Sequence, residues 1–197
     1  MPLFKFDYVS YDKILTSIKW KDMIDAIEQP FDEHLLVTWL PWCGKSTIAT
    51  HRLDRLKKQK WLYLTYWKLL TTYVSQWLAS NEAKSKTNSF WSWFFKNWNI
   101  KKDIEKITND DIKRVFEMYV KQFWKLDFII IDEWQDLPKW VYDNINILAK
   151  HISIFADDAQ QIYWKKDNAN IEYIINKIDP ILYKLNINRR NPKKLYE

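Results

Sequence analysis

Gly44-Lys45-Ser46-Thr47 follows an apolar run, and Asp132-Glu133 ends another. A glycine, lysine and hydroxyl at a helix start suit phosphate chemistry. Backbone N–H groups curl around the anion and the helix N-terminus adds positive potential. The lysine reaches the β- and γ-phosphates, and the hydroxyl can hold Mg²⁺. The whole stretch is Trp39-Leu40-Pro41-Trp42-Cys43-Gly44-Lys45-Ser46-Thr47. Its second half fits G-x-x-x-x-G-K-[ST], while its first half has Trp39 where the pattern wants glycine. That glycine lets the backbone take unusual dihedrals close to the nucleotide. Alone, Gly-Lys-Ser is read equally well as a phosphate motif or as a chance tripeptide at a helix start. Ile129-Ile130-Ile131-Asp132-Glu133 places two carboxylates at the end of an apolar run. The first would bind Mg²⁺, and the second would orient or deprotonate an attacking water. The bland alternative is a solvated turn, because acids favour helix N-termini.

These groups need a scaffold, and short apolar runs alternate with helix-length segments along the chain. Strands are expected at His34–Thr38, Trp61–Tyr66, Phe128–Asp132 and Ile152–Asp157, with a weaker one at Ile181–Asn188. Unbroken apolar runs suit strands buried on both faces, so the alternation predicts a parallel α/β sheet. Helices are expected at Lys45–Gln59, Lys68–Ser80, Asp110–Trp124, Lys139–Lys150 and Asn170–Ile178, with Asn109-Asp110 capping the third. A small helical insertion is expected at about 81–125, of which 81–109 is polar and then aromatic.

At 197 residues the chain holds one substantial domain. Its net charge of +6 favours polyanions without demanding them. The single cysteine, Cys43, excludes an internal disulfide and suits a reducing cytoplasm. Met1–Lys13 lacks an apolar core, and no apolar run approaches about 18 residues, so secretion and membrane spanning are not expected.

One feature of composition is abnormal. About 7% glycine predicts roughly 14 in such a chain, whereas this one has 1 Gly and 13 Trp. The chain is also rich in residues with AT-rich codons. Some bacteria read UGA as glycine, and a translation made with another table would print tryptophan there. With glycine at 39 and 42 the loop becomes G-L-P-G-C-G-K-S-T.

Asp132-Glu133-Trp134-Gln135-Asp136 resembles the D-E-A-Q-D signature of superfamily 1 DNA helicases of the UvrD/Rep type, with Trp134 in a small-residue slot. Other segments resemble that family's motifs in order. Leu62–Lys68 looks like motif Ia, and Thr87-Asn88-Ser89-Phe90 like motif Ib without its histidine. Phe155-Ala156-Asp157-Asp158-Ala159-Gln160-Gln161-Ile162-Tyr163 resembles motif III, and Asn188-Arg189-Arg190-Asn191-Pro192 motif IV. No glutamine motif upstream of the loop is evident, which leaves adenine selectivity open.

The resemblance implies a RecA-like P-loop NTPase core, ATP and Mg²⁺ as cofactors, and single-stranded DNA as partner. Within it, residues 39–47 would cradle the nucleotide, Ser46 and Asp132 would hold the metal, and Glu133 would act on water. Gln160 would sense the γ-phosphate and Arg190 would stabilise the transferring phosphoryl group. Thr65 and Thr87 would touch the DNA backbone, and Tyr163 would stack on a base or sit as an ordinary buried tyrosine. Trp164 falls one residue early for the family's stacking tryptophan and fits a glycine slot. The cluster Phe90, Trp91, Trp93, Phe94, Phe95 and Trp98 reads as a helix packed on the sheet rather than a DNA platform. Motifs V and VI belong to a second lobe and do not occur in 1–197, so the resemblance implies the first motor lobe alone.

Two rivals stay open. One is a P-loop ATPase that is not a helicase. The other is a catalytically dead interaction module in which Trp39 and Trp42 are literal and exclude ATP.

Overall fold

The computed structural model describes residues 21–38, 44–56, 59–78, 84–98, 103–133, 137–156 and 168–185. Among them six strands form one sheet: β1 (Leu35–Thr38), β2 (Trp61–Thr65), β3 (Thr87–Ser89), β4 (Leu126–Asp132), β5 (Ala149–Ala156) and β6 (Ile181–Lys184). Their order is β3-β2-β4-β5-β1-β6, and every pairing is parallel. The helices are α1 (Lys21–Glu28), α2 (Lys45–Arg55), α3 (Lys68–Trp77), α4 (Phe90–Trp98), α5 (Asn109–Phe123), α6 (Lys139–Leu148) and α7 (Ile171–Ile178). This is a RecA-like P-loop NTPase core.

Alternation along β4 divides the interior. Ile129 and Ile131 face a cluster with Phe90, Phe94, Phe116, Val141, Ile145 and Ile174, contributed by α4 to α7. Phe128 and Ile130 face the other cluster, with Met23, Ile27, Ile48, Leu53 and Val74 from α1, α2 and α3. Successive strand side chains point to opposite faces, so an uninterrupted apolar strand requires helices on both.

The insertion expected at 81–125 contributes to the sheet as well as to the helical layer. Its residues 87–89 pair with β2 as the edge strand, and α4 then packs Phe90, Trp93 and Phe94 into the core. The aromatic cluster is therefore core-forming. Helix α5 opens one residue before the expected start, on a Thr108–Asp111 capping box. Helix α6 ends at Leu148 and not at Lys150, because Ala149 already pairs with Leu126 in β5.

Buried Arg52 joins α1 to α2. Its Nη1 donates to the carbonyls of Ala26 (3.1 Å), Ile27 (3.2 Å) and Gln29 (2.9 Å), and its guanidinium lies 4.2 Å from the Phe31 ring centre. Burial, with Arg55 nearby, lowers its pKa to about 10. The bonds satisfy carbonyls at and beyond the end of α1 that no helical turn can use.

Helix α5 ends on an unusual residue. Trp124 has φ 69° and ψ 160°, donates its N–H to Val120 O at 2.9 Å, and is 75% exposed. That backbone region is essentially restricted to glycine, and a side chain there costs about 1–3 kcal/mol. The indole recovers little, since its charged neighbour Lys60 stands 5.8 Å from the ring. Trp124→Gly is therefore expected to raise Tm by about 2–4 °C, roughly 1 kcal/mol in a chain of this size. A melt monitored by circular dichroism checks it, and an unchanged or lower Tm contradicts the strain argument.

Candidate functional site

The register aligns the carboxyl ends of the strands. Ser89 pairs with Thr65, Thr65 with Asp132, and Asp132 with Phe155. In a parallel sheet the crevice beyond this edge is where ligands bind. Helix α2 starts beside it, six residues after β1. Gly44 holds φ +99°, and a Cβ there would stand 2.9 Å from Met23 Cε on α1. The positive φ requires glycine at the mouth of α2, whereas the flexible end of Met23 could give way.

Lys45 and Ser46 occupy the first turn of α2, with Lys45 buried. Ser46 hydrogen-bonds the Asp132 carboxylate, and Lys45 lies near enough to stabilise its charge. Asp132 is fully buried at the last position of β4. Its Oδ2 accepts from the Tyr63 hydroxyl at 2.7 Å, and its Oδ1 accepts from the Glu133 N–H at 3.1 Å. Burial raises the Asp132 pKa against the pull of Tyr63, Ser46, Lys45 and the Glu133 amide. The same enclosure and the adjacent carboxylate push the Tyr63 hydroxyl well above its usual range, so it remains a donor.

Glu133 stands one residue beyond the strand with φ 57°, in the left-handed region. Its N–H also donates to Phe155 O at 3.1 Å, which ties the turn to β5. Non-glycine residues held this way store strain and concentrate at functional sites. The turn aims consecutive carboxyls, Asp132 and Glu133, differently, one buried and one half-exposed.

The oxygen donors suit Mg²⁺. A carboxylate and a hydroxyl are hard ligands, and Mg²⁺ takes only one or two protein ligands when phosphates and waters complete its shell. No group of three or more His, Cys, Asp or Glu residues able to hold a metal occurs among the described residues.

The structure brings Lys45, Ser46, Asp132 and Glu133 to one place, with Thr47 on the same turn of α2. Trp39–Cys43, Gln160, Tyr163 and Arg190 lie outside the described residues, as do Trp134 and Trp164. Thr65 and Thr87 lie in β2 and β3. Thr65 is fully buried, with its hydroxyl donating to Trp67 O at 2.9 Å, and Thr87 is 4% exposed. Tyr63 was the residue missed by sequence reasoning. The only signal was a phenol in a fully buried strand, which needs a hydrogen-bond partner.

Among the described residues, no helix is long and apolar enough to cross a membrane. No family model matches the chain, and no curated protein matches it. Solved structures do. Pif1 helicase from Candida albicans superposes with a TM-score of 0.60 at 13% identity, over 89% of this chain and 42% of that one. Bacteroides sp. Pif1 in complex with ADP-AlF4 gives 0.50 at 13% identity, over 91% and 44%. Bacteroides Pif1 bound to single-stranded DNA gives 0.50 at 10%, over 91% and 45%. The chain thus spans less than half the length of these structures, and what it shares with them is the parallel α/β P-loop core.

Proposed function

We propose that the chain is the ATP-binding lobe of a superfamily 1 DNA helicase or translocase, in which ATP hydrolysis drives movement along single-stranded DNA. The observation that carries this is the buried Asp132 carboxylate bonded to Ser46 beside Lys45, with Glu133 at the next position. In this reading residues 39–47 cradle the phosphates, Ser46 and Asp132 hold Mg²⁺, and Glu133 acts on the attacking water. Held by Ser46 and Asp132, Mg²⁺ would supply positive charge against the charge that develops in phosphoryl transfer. Gln160 senses the γ-phosphate, Arg190 stabilises the transferring group, and Tyr163 stacks on a base. A second lobe completes the site.

Supports for the helicase form are the order of the motifs and the fold shared with Pif1, solved with ADP-AlF4 in one structure and single-stranded DNA in another. The D-E-x-Q-D segment favours the UvrD/Rep type within the superfamily. Burial of Thr65 and Thr87 favours a second reading, a P-loop ATPase without DNA coupling. Gln160→Ala separates the two. If motif III links the γ-phosphate to DNA, this variant loses DNA stimulation of hydrolysis more than basal rate. Hydrolysis indifferent to DNA in the unmutated protein, joined to its second lobe, leaves only the plain ATPase.

Tyr63 enters this reading as a positioning residue. Tyr63→Phe deletes the hydroxyl that fixes Asp132 Oδ2 while keeping the ring. Losing such an outer partner typically lowers metal affinity by about 10–100-fold. The Mg²⁺ concentration needed for half-maximal nucleotide binding is expected to rise by about tenfold, with Mg²⁺-free ADP affinity unchanged. An unchanged Mg²⁺ requirement in calorimetric titrations refutes the role.

The recoding belongs to the same reading, and the fold divides the tryptophans. Trp124 occupies a glycine-only conformation. By contrast, Trp61 and Trp93 are 6% and 4% exposed, with Trp93 packed on Phe116 and Tyr119, so bulk is used there. The motif slots assign glycine to Trp39, Trp42, Trp134 and Trp164, the backbone conformation assigns it to Trp124, and packing assigns literal tryptophan to Trp61 and Trp93.

A further inference from the structure

At the sheet edge away from the Lys45–Asp132 site, the amino ends of β2, β3 and β4 meet α4 and the last turns of α5. A crevice of about 410 Å³ opens there, lined by Lys60, Lys86, Lys96, Trp61, Trp93, Tyr119 and Phe123 among others. That volume lies within the range of small-molecule pockets and is large enough for one nucleotide unit.

Two of the lysines are rooted on fixed backbone. Lys60 N donates to Asp127 Oδ2 at 3.1 Å, and Lys60 O accepts from the N–H groups of Asp127 (2.8 Å) and Phe128 (3.1 Å). Lys86 O accepts from Tyr63 N at 3.0 Å, and its ammonium stands 5.4 Å from the Trp61 ring centre. Among the described residues, no carboxylate lines the crevice. The nearby Asp127 carboxylate is engaged by the Lys150 ammonium at 2.8 Å. A chain of rings runs outward from the core, Trp93 to Tyr119 at 5.4 Å and Tyr119 to Phe123 at 5.2 Å, ending in a Phe123 that is 48% exposed.

We propose that this crevice is a second nucleic-acid site, which holds one base of a single strand against Phe123 and Tyr119 and its phosphates on Lys60, Lys86 and Lys96. Lysines alone would take any polyanion. A graded ring surface beside them is the combination that single-stranded nucleic acid uses, bases on aromatic faces and backbone along cations. An acidic peptide would use the charges and leave the rings idle, and a duplex keeps its bases stacked inside. The site lies away from the strand ends where nucleotide is proposed to bind, so it does not depend on ATP chemistry.

The test uses the full chain with glycine at positions 39 and 42, and a fluorescein-labelled oligothymidylate of about 12 nucleotides, within the usual span of single-strand sites. Anisotropy titrations are run across a salt series beside a Mg·ATP titration. Lys60→Glu with Lys96→Glu is expected to weaken oligonucleotide binding more than tenfold. It should also flatten the plot of log affinity against log salt by about 1.4, two phosphate contacts at roughly 0.7 each. Phe123→Ala is expected to lose about tenfold at every salt concentration with the slope unchanged. Phe123→Leu, which keeps apolar bulk and lacks the ring face, should lose as much. Mg·ATP binding should not change in any variant. A protein that binds oligonucleotide but never Mg·ATP sinks the ATPase reading and leaves this site supported. Full oligonucleotide affinity in the double-lysine variant, or in both Phe123 variants, overturns the site. So does a labelled oligoglutamate that binds as tightly as the oligothymidylate.

Discussion

A protein carrying glycine at positions 39 and 42 is expected to bind Mg·ATP, and the one carrying tryptophan at both is not. The argument is steric. A phosphate-binding loop works through backbone N–H groups that come within hydrogen-bond distance of the anion, and glycine permits both the dihedrals and the approach. An indole at either position occupies the space the phosphates need. The two versions, Trp39→Gly with Trp42→Gly and the sequence as printed, are compared by titrating Mg·ATP. The expected contrast is saturable binding against none at millimolar nucleotide. Equal affinity refutes the steric argument. The codons give an independent check. UGA is expected at 39, 42, 124, 134 and 164, and UGG at 61 and 93. UGG at 39, 42, 124, 134 and 164 ends the recoding and shifts weight to a module that never binds ATP.

Legibility followed from how local each signal was. The Phe128–Asp132 run announced a strand buried on both faces, and β4 extends it only by Leu126 and Asp127 at its start. Strand β3 was invisible, because Thr87-Asn88-Ser89 has no apolar residue and is a strand only through β2 beside it. Helix α1 has eight residues, too few for periodicity to show, and it is held by Arg52 from 24 positions beyond its end. The α6–β5 boundary was misplaced because Ala149 and Lys150 suit a helix locally, whereas pairing with β4 decides their state. At the site, Lys45 and Asp132 could be read because phosphate and metal chemistry constrain neighbours in sequence. The Tyr63–Asp132 bond spans 69 positions, and no local pattern encodes it.

In the glycine-bearing protein joined to a second lobe, Lys45→Ala and Glu133→Gln are expected to separate binding from chemistry. Lys45 opens α2, buried and close enough to Asp132 to stabilise its charge, and it is placed to contact phosphates in the ground state. Removing it should weaken nucleotide binding and hydrolysis together, because the interaction exists before and during phosphoryl transfer. It also strips Asp132 of a cation, so the deficit should be partly offset by raised Mg²⁺. Glu133 differs in each respect. Its backbone is held in the left-handed region by bonds from its own N–H to Asp132 Oδ1 and Phe155 O, neither of which involves the side chain. Glutamine can occupy the same position without altering that turn, and what it loses is the capacity to accept a proton. Positioned acid–base groups contribute about 10²–10⁴ in rate, so turnover should fall by that factor while Mg·ATP stays bound. Single-turnover hydrolysis beside equilibrium binding distinguishes the two variants. Glu133→Gln with near-normal turnover removes Glu133 from the chemistry, and Lys45→Ala with normal affinity removes Lys45 from the phosphate site.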